Sequence, residues 1–288
     1  MGDLSSLSGI AETLKYYFTF PFVRYALIVG VMVSLSASLL GVVLVLKRLS
    51  FIGDGLSHVA FGAMATATVL GLSDNLALVL PVTAVFSIVL MKRERKKLQG
   101  DALIAMLSVS ALSIGYILFN RFPPKGGNVS GDVCTTLFGS TSILTLSQRE
   151  VYVSIALSAL VVIVFILFYN IIFNATFDEE FTASRGINTD IYNTFMAVVI
   201  ASVISLAMKL VGSLLVSALL VFPAVSAMRV FASFKKVVIA SAVLSVICSF
   251  LGVIFSILFG TPVGATIVAS DLLGFIIMSV IGAFVKEQ

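Results

Sequence analysis

The sequence is poor in charge and in the residues that usually mark an active site. Only 11% of the 288 residues are charged, histidine occurs once, and the two cysteines are Cys134 and Cys248. Two cysteines so placed form neither a disulfide framework nor a metal-binding spacing. With 59% hydrophobic residues and a mean hydropathy of +1.15, the composition excludes a soluble globular domain.

The hydrophobic residues gather in nine continuous runs. A bilayer core needs ~20 apolar residues per helix, and a membrane β-barrel would instead show short alternating strands. The sequence therefore predicts an all-α, polytopic bundle of roughly eight to nine transmembrane helices, with residues 1–22 as an interfacial helix and residues 23–288 as the membrane domain. The runs are Val23–Leu46, Phe51–Gly71, Leu76–Met91, Ala102–Phe119, Val151–Phe173, Ile191–Met208, Leu210–Phe231, Val237–Phe259 and Ala265–Phe284.

The basic residues predict an orientation in the membrane rather than a nucleic-acid partner. The net charge is +4, but the lysines and arginines mostly flank the apolar runs. Placing the basic run 92–97 in the cytoplasm puts twelve of the eighteen lysines and arginines on that side. Because positive loops stay in the cytoplasm, we expect the N-terminus outside and the C-terminus inside.

The single histidine, His58, follows Asp54 by four residues at the head of an apolar run. On a helix the two side chains share one face, and together they offer a carboxylate oxygen and an imidazole nitrogen to a divalent transition metal. The plainer alternative makes Asp54 an interfacial helix cap and His58 a buried residue bonded to a carbonyl. Small residues over 60–68 suggest a helix pressed against other helices, which favours a functional pair.

Asp271, in the last run, leaves two readings open from sequence. It either lines a conduit, or it caps a kink in the helix or pairs with a hydroxyl group, and the second interpretation is preferred. Together with Gly53-Asp54, it also raises the possibility of an intramembrane aspartyl protease. That chemistry needs two facing carboxylates that share one proton. Because Asp271 lacks a matching Gly-Asp or Tyr-Asp context, we expect no protease.

Two loops stand out from the apolar runs. Residues 122–127 break any helix and precede a polar stretch, 131–146, which we expect to form a short re-entrant or surface helix. Residues 177–187 carry Asp178 as a predicted N-cap, Glu179 and Glu180 in the first turn, and Gly186 as a stop. This acidic, capped helix on the cytoplasmic side is typical of a docking element for another protein.

The order of several motifs gives the chain a family resemblance. The segments 47–58, 209–224 and 261–268, together with the loop ending at Arg185-Gly186-Ile187, resemble the membrane subunits of metal-ion ABC importers. The resemblance extends over roughly residues 31–284. It implies a type II-like permease that passes Zn²⁺, Mn²⁺ or Fe²⁺, with Asp54 and His58 as metal contacts and no resident cofactor.

The same resemblance implies the partners. They are a second copy of the chain, a cytoplasmic ATPase that receives residues 177–187 as a coupling helix, an extracytoplasmic metal-binding protein and membrane lipid. The chain has no phosphate-binding loop of the Gly-x-x-x-x-Gly-Lys-Ser/Thr type, so ATP hydrolysis is expected on the separate subunit. Two alternatives remain open: a permease for chelated metal, such as a siderophore or corrinoid, and a proton-driven secondary transporter.

Overall fold

The computed structural model of the chain describes residues 7–72, 76–94, 100–122 and 148–286, and these residues form α-helices without any strand. The apolar runs explain this, since only hydrogen bonding within each helix satisfies the backbone in lipid. The helices are α1 (Leu7–Tyr17), α2 (Pro21–Leu46), α3 (Ile52–Val69), α4 (Leu76–Glu94), α5 (Gly100–Arg121), α6 (Gln148–Leu167), α7 (Tyr169–Phe177), α8 (Glu179–Ser184), α9 (Thr189–Val211), α10 (Ser213–Val230), α11 (Phe234–Phe259) and α12 (Val263–Lys286).

All nine apolar runs are helical, which confirms the predicted all-α membrane bundle. Within the described residues, six helices are long and apolar enough to cross a membrane, namely α2, α5, α6, α9, α11 and α12. Helices α4 and α10 are apolar but shorter, so the count of eight to nine spans stays a prediction. Two boundaries were wrong. The run Val151–Phe173 is two helices, because the backbone leaves helical geometry at Phe168, and Leu210 belongs to α9, which ends at Val211.

Helix α2 is central, and it packs against α6, α9, α10 and α11. Its contact with α10 is so close that a Cβ atom added at Gly41 would lie within van der Waals overlap of the Leu220 carbonyl oxygen. Without a hydrophobic driving force between helices in lipid, such small-residue contacts supply the packing energy. Position 41 therefore requires glycine.

Hydroxyl groups join helices across these interfaces. The Ser34 and Ser245 hydroxyls are 2.5 Å apart between α2 and α11, and Ser36 donates to Ser158 on α6 at 2.8 Å. Between α4 and α9, Ser87 donates to the Ala197 carbonyl at 2.9 Å. Each such bond contributes of the order of 1 kcal/mol in a membrane.

A single residue, Gly212, separates α9 from α10. Its φ of 96° and ψ of 152° lie in a region that is essentially restricted to glycine. This turn lets α10 pack against α9 and return along α2 and α3. The predicted helix within 131–146 lies outside the described residues.

Segments that were predicted to share a side of the membrane meet at the same end of the bundle. Lys47, Met91, Phe177 and Glu179 line one cavity at one end. Gln148, at the start of α6, donates to the Tyr25 hydroxyl near the start of α2 at 2.9 Å. These contacts agree with the alternation of helices that was assumed for the orientation.

Candidate functional site

Asp54 and His58 lie one turn apart on α3, as the spacing predicts. Nε2 of His58 is 3.5 Å from Oδ1 of Asp54. The helix begins at Ile52 and its cap position is Phe51, which makes no side-chain cap. Asp54 therefore lies in the first turn and is not an N-cap, so the alternative interpretation of Asp54 as a helix cap was wrong.

The start of α3 is wedged between α10 and α5. A Cβ atom at Gly53 would come within 2.6 Å of the Leu220 side chain, and one at Gly55 within 2.7 Å of the Ile104 side chain. One turn above His58, Gly62 meets the backbone of Ala111 in the same way, since a Cβ atom would lie 2.9 Å from its carbonyl oxygen. The small residues of α3 thus fix the position of this helix along its axis and its rotation about it, and with them the positions of Asp54 and His58.

A third side chain reaches the pair from α10. The Ser217 hydroxyl donates to Oδ1 of Asp54 at 3.3 Å. A hydrogen bond of this kind orients a carboxylate that would otherwise rotate freely, which is the usual task of groups behind a metal ligand. Ser217 lies within the segment 209–224 that carried the family resemblance, but nothing in its spacing pointed to Asp54.

The two members of the pair differ in access. The His58 side chain is 7% exposed and that of Asp54 is 43% exposed. Nδ1 of His58 is buried and has no hydrogen-bond partner among the residues that the structure describes. The carbonyl partner that the plainer alternative requires is therefore not found among the described residues, and the pair combines an open carboxylate with an enclosed imidazole.

A carboxylate and an imidazole suit a divalent transition metal, but such ions usually take four or more ligands. Within the described ranges, no group of three or more His, Cys, Asp or Glu side chains surrounds a common point. Asp54 and His58 of one chain would therefore be an incomplete ligand set for such an ion. The open side of Asp54 is where further ligands would have to approach.

The acidic loop forms the capped helix that the sequence predicts. Oδ1 of Asp178 accepts a hydrogen bond from the Phe181 amide at 2.8 Å and caps α8. The chain leaves the helix at Gly186, whose φ is 82°. The two glutamates of the first turn then diverge, because Glu180 is exposed while Glu179 turns inward to Lys47.

Glu179 belongs to a polar network that the sequence did not reveal. Nζ of Lys47 lies 2.8 Å from Oε1 of Glu179 and 3.2 Å from Oδ1 of Asn193. Nδ2 of Asn193 donates to the same glutamate oxygen at 3.1 Å. Lys47 lies 132 positions from Glu179, and the sequence marks it only as a signal of membrane orientation.

Asp271 lies in the middle of α12 and is 1% exposed. No hydroxyl or nitrogen of the described residues donates to either of its oxygens, so the expected hydroxyl partner is not found. The polar group beside it is the thiol of Cys248 on α11, which is a weak donor. Asp54 contacts His58 and Ser217 instead, so the two aspartates do not form the facing pair of an aspartyl protease.

Comparisons with known proteins show to which family the chain belongs. Residues 19–282 match the sequence profile described as the ABC 3 transport family. The manganese import system permease protein ScaB of Streptococcus gordonii is 25% identical over 268 residues, which are 93% of this chain and 94% of that protein. The high-affinity zinc uptake system membrane protein ZnuB of Buchnera aphidicola is 26% identical over 240 residues, covering 83% and 89%.

A solved structure shows the same architecture. It is PsaBC from Streptococcus pneumoniae in complex with Fab, with a TM-score of 0.81 and 25% identity, covering 93% of this chain and 95% of the matched chain. The six candidate spans and the family together make the protein a multi-pass protein of the cytoplasmic membrane. The chain belongs to the ABC 3 transport family and is a transport permease.

Proposed function

We propose that the chain is the permease subunit of an ATP-driven importer that passes Zn²⁺, Mn²⁺ or Fe²⁺ across a bacterial cytoplasmic membrane by alternating access. Asp54 and His58 bind the ion transiently on its way. The metal is cargo and leaves unchanged, so the chain itself is not an enzyme. Hydrolysis of ATP takes place on a separate subunit.

The observation that carries this proposal is the geometry of the Asp54/His58 pair. Two donors of the chemistry that such metals prefer lie 3.5 Å apart on one helix face, with the carboxylate open and oriented by Ser217. An ionisable pair in an apolar helix is costly and is by default functional. A buried structural ion pair would enclose both partners, and this one does not.

The partial ligand set favours a homodimer. Two copies that meet at the open side of Asp54 would bring two carboxylates and two imidazoles together, which is enough for a four-ligand site. A shared site is also easily disrupted when the two copies move apart. Weak binding of the ion suits a transport path, because an ion that binds too tightly is not released.

The remaining partners follow from α8 and from the family. The cap Asp178, the glutamates Glu179 and Glu180 and the turn at Gly186 form a short helix for a groove on the cytoplasmic ATPase. An extracytoplasmic binding protein delivers the ion to the opposite face. The relatives support this class of cargo, since ScaB is named for manganese import and ZnuB for zinc uptake. No nucleic acid takes part.

The test is metal uptake by the reconstituted complex of permease, ATPase and binding protein. We expect the double variant Asp54→Ala/His58→Ala to assemble with the ATPase yet to lose uptake of Zn²⁺, Mn²⁺ and Fe²⁺. The matched control is Glu12→Ala, which removes an exposed carboxylate of α1. Normal uptake by the double variant would sink the proposal.

The same preparation separates the two alternatives. A conduit for chelated metal would be wide and would not need a bare carboxylate and imidazole, so a siderophore or corrinoid complex should outcompete the free ions. A proton-driven transporter would accumulate metal without ATP or an ATPase subunit. Uptake of free ions that requires ATP excludes both.

A further inference from the structure

The Lys47–Glu179–Asn193 network joins three helices at one point. Lys47 follows the last residue of α2, Glu179 opens α8, and Asn193 lies in the first turns of α9. Lys47 also lies 5.7 Å from the ring centroid of Tyr192. The Lys47 side chain is 10% exposed and that of Glu179 is 34% exposed, so solvent screens this ion pair only in part.

A short, hydrogen-bonded turn connects Lys47 to the start of α3, where the candidate metal site lies. Arg48 adopts a left-handed φ of 61°, and the Leu49 amide donates to the Leu44 carbonyl at 2.8 Å, which closes the end of α2. Leu49 is buried, and its carbonyl accepts from the Ile52 amide at 3.0 Å. Only seven positions separate Lys47 from Asp54, so a displacement of Lys47 moves the start of α3.

The link from α8 to α2 is polar rather than a close-packed interface. α8 has six residues and packs against its chain neighbours α7 and α9. Beside the network, a cavity of about 460 Å³ is lined by residues of α2, α4 and α7 together with Glu179 and Asn193. Because this cavity leaves part of the space between α8 and α2 unfilled, the ion pair is a direct contact through which a movement of α8 can displace α2.

We propose that Lys47 and Glu179 are positioning residues that transmit the movement of α8 to the Asp54/His58 site. This inference rests on the proposed function, in which α8 is the element that a partner ATPase moves. When α8 shifts, the ion pair carries α2 with it, and the rigid turn at Arg48 carries the start of α3. The carboxylate of Asp54 then changes its distance from the second copy, which alters the ligand set of the ion.

The experiment measures ions imported per ATP hydrolysed by the complex of permease, ATPase and binding protein in vesicles. We expect Lys47→Met to stay in the complex and to lower this ratio about fivefold or more, the order of magnitude of a coupling between two sites. Lys47→Arg keeps the charge and should retain most of the ratio. The exchange Lys47→Glu/Glu179→Lys should recover much of what Lys47→Met loses. The matched control is Lys236→Met, an exposed lysine on the same predicted side.

Several results would overturn the inference. A wild-type ratio in Lys47→Met would show that the pair transmits nothing. Loss of the ATPase subunit from that variant would assign the pair to assembly instead. If Lys47→Met cannot be recovered from the membrane, the exchanged pair decides, and failure to import would overturn the inference. Absence of metal uptake by the wild-type complex would instead refute the proposed function, so the two failures are distinguishable.

Discussion

Asp54 and Asp271 are both carboxylates in apolar helices of this permease, but their surroundings differ in every respect that matters for an ion. Asp54 has an imidazole one turn away, accepts a hydrogen bond from Ser217 and keeps an open side. Asp271 is enclosed among helices, and the polar group beside it is the weakly donating thiol of Cys248. We therefore expect access and oriented partners, rather than burial of a charge, to distinguish a residue of the ion path from an internal one.

Close helix packing surrounds both aspartates and does not by itself distinguish them. The start of α3 is fixed by glycines against the side chains and backbone of neighbouring helices, which limits how far Asp54 can shift. Asp271 lies on α12 beside α11, where Gly252 brings the Ile267 backbone equally close. Close helix packing is thus common to both regions. Under the proposed function, close packing positions a metal ligand only around Asp54, where the carboxylate is also accessible.

The largest effect is expected from neutralising Asp54 without changing the shape of its side chain. Asp54→Asn should lower metal uptake by about 100-fold or more, because an amide oxygen is a far poorer ligand than a carboxylate and the remaining imidazole cannot hold the ion alone. The measurement is the initial rate of uptake of radioactive Zn²⁺ or Mn²⁺ by vesicles with equal amounts of folded complex. Retention of more than half the rate would remove Asp54 from the path.

A pair of glycine substitutions tests whether packing matters differently in the two regions. Gly62→Ala on α3 and Gly252→Ala on α11 both force the helix backbones apart, and each should lower the free energy of unfolding by about 1–3 kcal/mol. Only Gly62→Ala, one turn from His58, should also lower uptake per folded molecule, by about tenfold, since ligand geometry tolerates shifts of about half an ångström.

The Gly252→Ala variant serves as the control for Gly62→Ala. Thermal unfolding in detergent reports the common loss of stability, and uptake normalised to folded protein reports the difference. Equal loss of normalised uptake in both variants would mean that packing acts on transport through the whole bundle rather than through α3.

A smaller effect is expected from the group that orients Asp54. Ser217→Ala removes a hydroxyl whose long hydrogen bond to Asp54, 3.3 Å, contributes about 1 kcal/mol, which corresponds to about a fivefold rise in the metal concentration for half-maximal uptake. Ser213→Ala, at a buried hydroxyl without a partner among the described residues, serves as the control. No change in Ser217→Ala would show that Asp54 is oriented by His58 alone.

The sequence predicts the parts of this molecule that depend on local pattern. Continuous apolar runs gave the helices, the spacing of Asp54 and His58 gave their shared face, and the capping residues Asp178 and Gly186 gave the boundaries of α8. Each of these features depends on residues within a few positions of one another. Periodicity and capping chemistry are therefore sufficient to find them.

The parts that could not be predicted are contacts between distant segments. Ser217 reaches Asp54 across 163 positions, and Lys47 reaches Glu179 across 132. A serine in an apolar helix most often bonds within its own turn, and a lysine at a helix end is most often a signal of orientation. Nothing in the sequence around Ser217 or Lys47 distinguishes these residues from the many serines and lysines that make no such distant contact.

The smallest effect is expected at the other aspartate. Asp271→Asn keeps the volume of the side chain and should leave the rate of uptake within about twofold of the wild type, because the group is enclosed and has no part in the ligand set. Its stability should change by no more than about 1 kcal/mol, since neither form finds a strong partner beside Cys248. The measurements are the uptake assay applied to Asp54→Asn and thermal unfolding in detergent. A loss of uptake that approaches that of Asp54→Asn would show that an enclosed carboxylate also serves the conduit, and access would no longer distinguish the two.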